Sequence, residues 1–168
     1  MPAGVRSKTW LGSTHDAAKE RMMERPKITR DLITAVAQKF CGDNGWDEEQ
    51  AADLARVCRS VHMDGYELAK GLDSLCSWMP TAQDVETLNN FSCEVHEAHR
   101  QVCIAWACDN NVQPPIPIGT MTTDGEITSI YEHDAATYMV RMHGETDPTR
   151  RHLVRFEDAR EAPAMAVS

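Results

Sequence analysis

The sequence predicts an α+β protein, an N-terminal bundle of four to five helices followed by a small antiparallel β module. Three observations carry this expectation. As far as about residue 110, apolar residues recur every three or four positions between Ser, Thr and Asp caps. Between Asn111 and Gly119, three of the eight prolines interrupt that period. Beyond them apolar and polar residues alternate, as in strands with one buried face. The predicted boundaries are a helical domain over 1–110, a Pro-rich linker over 111–119, a β module over 120–160 and a flexible tail over 161–168.

Each element has its own grounds. Met1 to Gly12 has no period and reads as a loose arm, with Trp10 as a possible anchor. Ser13 or Thr14 caps a short charged helix through about Glu24, ended by Arg25-Pro26. Thr29 caps a second helix with Leu32, Ile33, Val36 and Phe40 on one face and Gly42 as its stop. A turn over Asp43-Asn44-Gly45-Trp46 leads to Asp47-Glu48-Glu49-Gln50, a capping-box variant with acidic residues in the first turn. Ala51, Leu54, Val57, Cys58 and Val61 give that third helix its stripe. Asp64, with Glu67 three residues on, caps a fourth helix carried by Leu68, Leu72 and Leu75 to about Trp78, where Pro80 breaks it. Thr81 caps the longest helix, Ala82 to Cys108, with Val85, Leu88, Phe91, Val95, Ala98, Val102 and Trp106 on one side.

Past the prolines, the strands predicted are Gly125 to Tyr131, Thr137 to Met142 and Arg151 to Phe156. Tyr138, Val140 and Met142 share one face of the second and Met139 and Arg141 the other, and Val154 and Phe156 point inward from the third. His133-Asp134-Ala135 and His143 to Pro148 are the hairpin loops, and Glu157-Asp158-Ala159 a final turn.

Composition bounds the function. The 168 residues suit one domain, or a domain with a small companion, and 42% hydrophobic content suffices for a packed core. Twenty-six acidic against 17 basic side chains give a formal charge of −9, with a pI near 5.2. Direct nucleic-acid binding through phosphates, which needs a concentrated basic face, is therefore disfavoured. No run of eighteen apolar residues exists to cross a membrane, and the N-terminus has no hydrophobic signal core, so the expected location is the cytoplasm. The six cysteines, four of them (Cys58, Cys76, Cys93, Cys103) within predicted helices, read as reduced, buried core thiols.

Catalytic signatures are absent: there is no phosphate-cradling Gly-rich loop, no Gly-x-Ser-x-Gly and no Cys-x-x-Cys. Cys93 to Cys103 gathers Cys, Glu and His ligands on one helix, but its ends stand about 15 Å apart along the axis, so only a pair such as His96 and His99 could chelate together. No cofactor and no metal are expected, and a metal-dependent enzyme built on His96 and His99 is the weaker alternative. Thiol chemistry has two possible pairs at helical i,i+4 spacing, Cys58 with His62 and Cys103 with His99.

Asp43, Asp47, Glu48, Glu49 and Asp53, around Trp46, form a local acidic cluster. Its plain reading is capping and solubility, and its sharper reading is a surface that docks on a basic partner. Met22-Met23 and Trp78-Met79 are possible anchors near helix ends.

Gly125-Glu126-Ile127, Tyr138-Met139-Val140-Arg141 and Leu153 through Asp158 form a pattern that resembles a small SH3-like or Tudor-like barrel, which implies a binding role rather than catalysis. This copy departs from the nucleic-acid-binding kind, because residues 111–168 hold five Arg or Lys against nine Asp or Glu. Only Arg141, Arg150, Arg151 and Arg155 could make a basic stripe, the basis of a second alternative, a nucleic-acid-associated adaptor. As a type, a compact acidic chain without catalytic motifs resembles phage and mobile-element inhibitors of host defence, including anti-CRISPR proteins. That resemblance implies a non-enzymatic partner of a protein or ribonucleoprotein complex with a basic surface.

Overall fold

The computed structural model describes residues 24–163. The short helix expected before Glu24, Trp10, Met22-Met23 and the last five residues of the expected tail lie outside them. The described chain is α+β, with five helices and a three-stranded antiparallel sheet. It divides into two compact units, Arg25–Asp109 and the residues from Asn110 on.

In the helical unit, local capping chemistry places four of the five helix starts. Helix α1 (Arg30–Asp43) begins where Thr29 Oγ1 accepts the Leu32 N–H. Helices α2 (Glu48–Val57), α3 (Gly65–Cys76) and α4 (Ala82–Leu88) each open on a reciprocal capping box, Asp47/Gln50, Asp64/Glu67 and Thr81/Asp84. Their apolar faces and α5 (Phe91–Asp109) enclose one core built around Phe40, Leu54, Leu68, Leu72, Leu88, Phe91 and Val95.

Four details depart from the sequence-based expectation. The long helix expected over 82–108 is two helices, broken at Asn89-Asn90. Asparagine amides compete with the helical backbone; here Asn89 Oδ1 accepts the Gly65 N–H at 2.8 Å, and the Asn90 N–H reaches back only to Thr87 O. Helix α2 stops at Val57, leaving Cys58 as its cap and Val61 in a loop. The cause is distant: the Arg30 guanidinium donates to the carbonyls of Ala55 and Cys58 at 2.6 and 2.9 Å, satisfying groups that another turn would have used. Leu75 is exposed, because Ser77 adopts a left-handed φ of 57° and the turn brings Trp78 onto the core in its place. Val102 is exposed too, since the buried stripe of α5 runs through Phe91, Val95, Cys103 and Trp106.

The second unit holds β1 (Gly125–Ile130), β2 (Thr137–Met142) and β3 (His152–Arg155), paired antiparallel in the order β1-β2-β3. Ile127, Tyr138, Val140, Val154 and Phe156 are buried on one side. Met142, on the same face of β2 as Tyr138 and Val140, is exposed; its partner across the ladder is Gly125, which has no side chain to cover it. Gly125 itself is required: its φ is 145°, and a Cβ there would stand 2.0 Å from Arg141 O. The proline-rich stretch is held by the Tyr138 hydroxyl, which accepts the Ile116 N–H at 2.9 Å and donates to the Ile116 carbonyl at 2.8 Å. The sheet does not close. Beyond its three strands, single bridges join Met121 to Glu126 and Thr122 to Glu161.

All six cysteines are free thiols. Cys41, Cys58 and Cys103 are buried as expected, but Cys76 is half-buried and Cys93 and Cys108 are exposed.

Candidate functional site

The turn between α1 and α2 sets the half-buried Trp46 edge-on against Phe40 and Trp78, with ring centres 5.9 and 5.5 Å apart. Above it opens a shallow cavity of about 440 Å³ lined by Gln38, Gly42, Trp46, Asp47, Glu48 and Ala51. Two carboxylates at its rim and an indole in its wall suit a cationic group.

The expected acidic cluster is thereby divided. Asp47 and Glu48 line the cavity and Glu49 is exposed in the same helical turn. Glu48 and Glu49 have no ion-pair partner among the described residues. Asp43 is tied to Lys39 at 2.8 Å, a bond that raises the lysine's pKa, while Lys39 also approaches Glu94 at 3.7 Å. Asp53 does not belong to the site: its side chain is mostly buried, accepting from the Trp78 indole N–H at 3.2 Å and pairing with Arg56 at 2.8 Å. Asp47 has two duties, since its Oδ1 also caps α2 through the Gln50 N–H at 2.8 Å. Its charge reaches inward as well. Burial first, and Asp47 second, push the Cys41 thiol up to about 11.

The thiol pairs do not make a nucleophile. Cys103 Sγ lies 3.5 Å from His99 Nε2, but that nitrogen is 2.8 Å from Pro26 O, which accepts its proton. The imidazole nitrogen beside the thiol is thus a donor and not a base. Cys58 Sγ donates to Ser60 O at 3.6 Å, and no hydrogen bond joins it to His62 among the described residues. His96 and His99 are not brought together either, because His96 faces the ring of His62 while His99 faces Pro26. Among the described residues no three His, Cys, Asp or Glu side chains converge as metal ligands.

Of the four arginines, three share a face. Met139 pairs with Leu153 and Val140 with His152, so the alternation puts Met139, Arg141, Leu153 and Arg155 on one side, with Arg151 continuing the row. Arg141 is bonded to Glu126 across the ladder. Arg150 is separate, 3.6 Å from Glu145.

One surface was not legible in the sequence. Tyr66 and Met79, 66% and 91% exposed, flank a groove of about 460 Å³ between α3 and α4 that also meets Lys70 and Asp73. In the sequence Met79 stands out as a helix-end anchor, whereas Tyr66, inside a cap motif, carries no signal.

No family model, curated protein or solved structure matches this chain.

Proposed function

We propose that this protein is a non-enzymatic binding protein that occupies a basic surface of another protein or of a ribonucleoprotein complex, with the Trp46–Asp47–Glu48–Glu49 turn as its point of contact. One observation carries the reading: two exposed carboxylates without counter-ions among the described residues stand beside a cavity walled by an indole that its neighbours hold in place. Carboxylates steer a basic partner and set its orientation, and the packed aromatic offers a rigid contact. In type this resembles the small acidic inhibitors carried by phages and mobile elements, anti-CRISPR proteins among them, which compete for residues that otherwise hold phosphate. A protein acting this way in the cytoplasm needs no cofactor.

The test begins with capture from the native host, and association with the identified partner is then timed at 50 and 300 mM salt. Steered association slows with salt, and Glu48→Gln/Glu49→Gln slows it further at low salt while leaving the melting curve within a few degrees. Association indifferent to both changes removes this turn as the contact.

A second reading draws on the strand register. The face carrying Arg141, Arg151 and Arg155 beside Leu153 gives the SH3-like likeness of the β unit an anion-binding surface. The bridges that extend pairing beyond β1 to Thr122 and Glu161 support that likeness. A salt-dependent DNA or RNA mobility shift lost in Arg151→Ala/Arg155→Ala favours this adaptor role; no shift leaves the protein partner as the reading.

A further inference from the structure

His62 and His96 come from different parts of the chain and meet at the surface, ring centre to ring centre 5.9 Å, with their planes inclined by 40°. Both side chains are exposed. The meeting is built into the local fold. The loop bearing His62 is tied to α5 by the Ser92 hydroxyl, which donates to Val61 O, and Ser92 lies one helical turn before His96 on the same face. Within the loop, the His62 N–H is held by Ser60 Oγ at 3.2 Å. The backbones that carry the two rings are thus fixed to each other, while the rings themselves can turn.

Neither imidazole is engaged by another group as a hydrogen-bond partner among the described residues. His99 and His143, by contrast, are turned to the carbonyls of Pro26 and Thr122. The carboxylate next to His96 is unavailable as a third ligand, because both Glu97 oxygens are taken by Arg100 and Gln101.

Imidazole nitrogens are the preferred protein donors for late first-row divalent ions. Metal–nitrogen bonds of about 2.0–2.1 Å put each ring centre about 3.2 Å from the ion, so two ligands at a tetrahedral angle have centres about 5.2 Å apart. The observed 5.9 Å is longer than that, and turning of the two exposed rings closes the difference. We propose that His62 and His96 form a two-imidazole site for a late first-row divalent cation such as nickel, zinc or copper. Two protein donors leave the remaining coordination positions to water or to a donor atom from a bound partner. The site is independent of the acidic turn and of the reading built on it.

The experiment uses the full chain with the exposed Cys93 and Cys108 blocked by iodoacetamide, since thiolates would otherwise compete for metal. Nickel chloride is titrated calorimetrically, and the imidazole nitrogen–proton correlations are followed by NMR. The expected result is one ion per chain in the micromolar range, with the His62 and His96 signals broadened together. His62→Ala and His96→Ala, both at exposed positions, each weaken binding at least tenfold, whereas His152→Ala leaves it unchanged. Failure to saturate below millimolar nickel overturns the proposal. So does stoichiometric binding whose affinity survives both substitutions, which would place the ion elsewhere.

Discussion

Asp47 shows why a charged residue cannot be assigned to a surface role from its type alone. Its carboxylate lines the cavity beside Trp46 and also accepts the Gln50 N–H that starts α2. Asp47→Ala is expected to cost about 1 kcal/mol of stability, whereas Asp47→Asn keeps most of the cap and loses the charge. Chemical denaturation of the two variants separates the duties. Beneath it, the Cys41 thiol is pushed up to about 11 from an ordinary 9.0, first by burial and then by Asp47. A raised folded-state pKa means that the stabilising contribution is complete below the unfolded value and is lost as pH rises from about 9 through about 11. Melting temperature is expected to fall across that window, and to fall less in Cys41→Ala. At pH 8, alkylation followed by mass spectrometry is expected at Cys93 and Cys108 while Cys41 and Cys58 stay protected. The reciprocal caps were legible in the sequence because both partners lie within three residues. The Asp53–Trp78 bond spans 25 residues and was not, so Asp53 read as one more surface charge when it is a support for the aromatic wall.

The helices and strands themselves were largely legible, and their failures have a common cause. Apolar spacing and caps fix where α1, α2, α3 and α4 begin, but a distant group decides where α2 ends and where α4 is cut from α5. Arg30 reaches across to the last carbonyls of α2. Asn89 is spent on the first N–H of α3, so the strong 3.6-residue period through Leu88, Phe91 and Val95 continues across a break that it cannot reveal. The same junction leaves no room at Gly65, where a Cβ would stand 2.2 Å from Val85 O and 2.7 Å from Asn89 N. Those obstacles are backbone atoms, which cannot turn aside as a side chain can. Gly65→Ala is therefore expected to destabilise by about 1–3 kcal/mol, despite alanine's better helix propensity. Gly42→Ala, with nothing within 4 Å of the added carbon, serves as the control in the same urea titration.

Each compact unit has its own means of cohesion, and in the β unit one side chain ties the sheet to the proline-rich stretch. The helical core is drawn from residues between Ile33 and Val95, joined by the edge-to-face rings of Phe40, Phe91 and Trp46. The β unit is small, and a domain of this size buries a modest share of its surface. Tyr138 compensates in two ways: its ring lies 4.3 Å from that of Phe156, and its hydroxyl holds both backbone polar groups of the buried Ile116. Burial raises the pKa of that hydroxyl, so it stays protonated and able to donate at neutral pH. Tyr138→Phe keeps the ring and removes the hydroxyl, leaving an N–H and a C=O without their partner. The expected loss is about 1–3 kcal/mol. Hydrogen exchange gives the readout. Amides of Ile127, Val140 and Val154 are expected to exchange faster by one to two orders of magnitude, while those of Leu54, Leu72 and Val95 keep their protection. Equal loss in both sets would mean that the two units unfold as one cooperative body, and no loss in either would mean that the hydroxyl's bonds to Ile116 contribute nothing to the cohesion of the sheet.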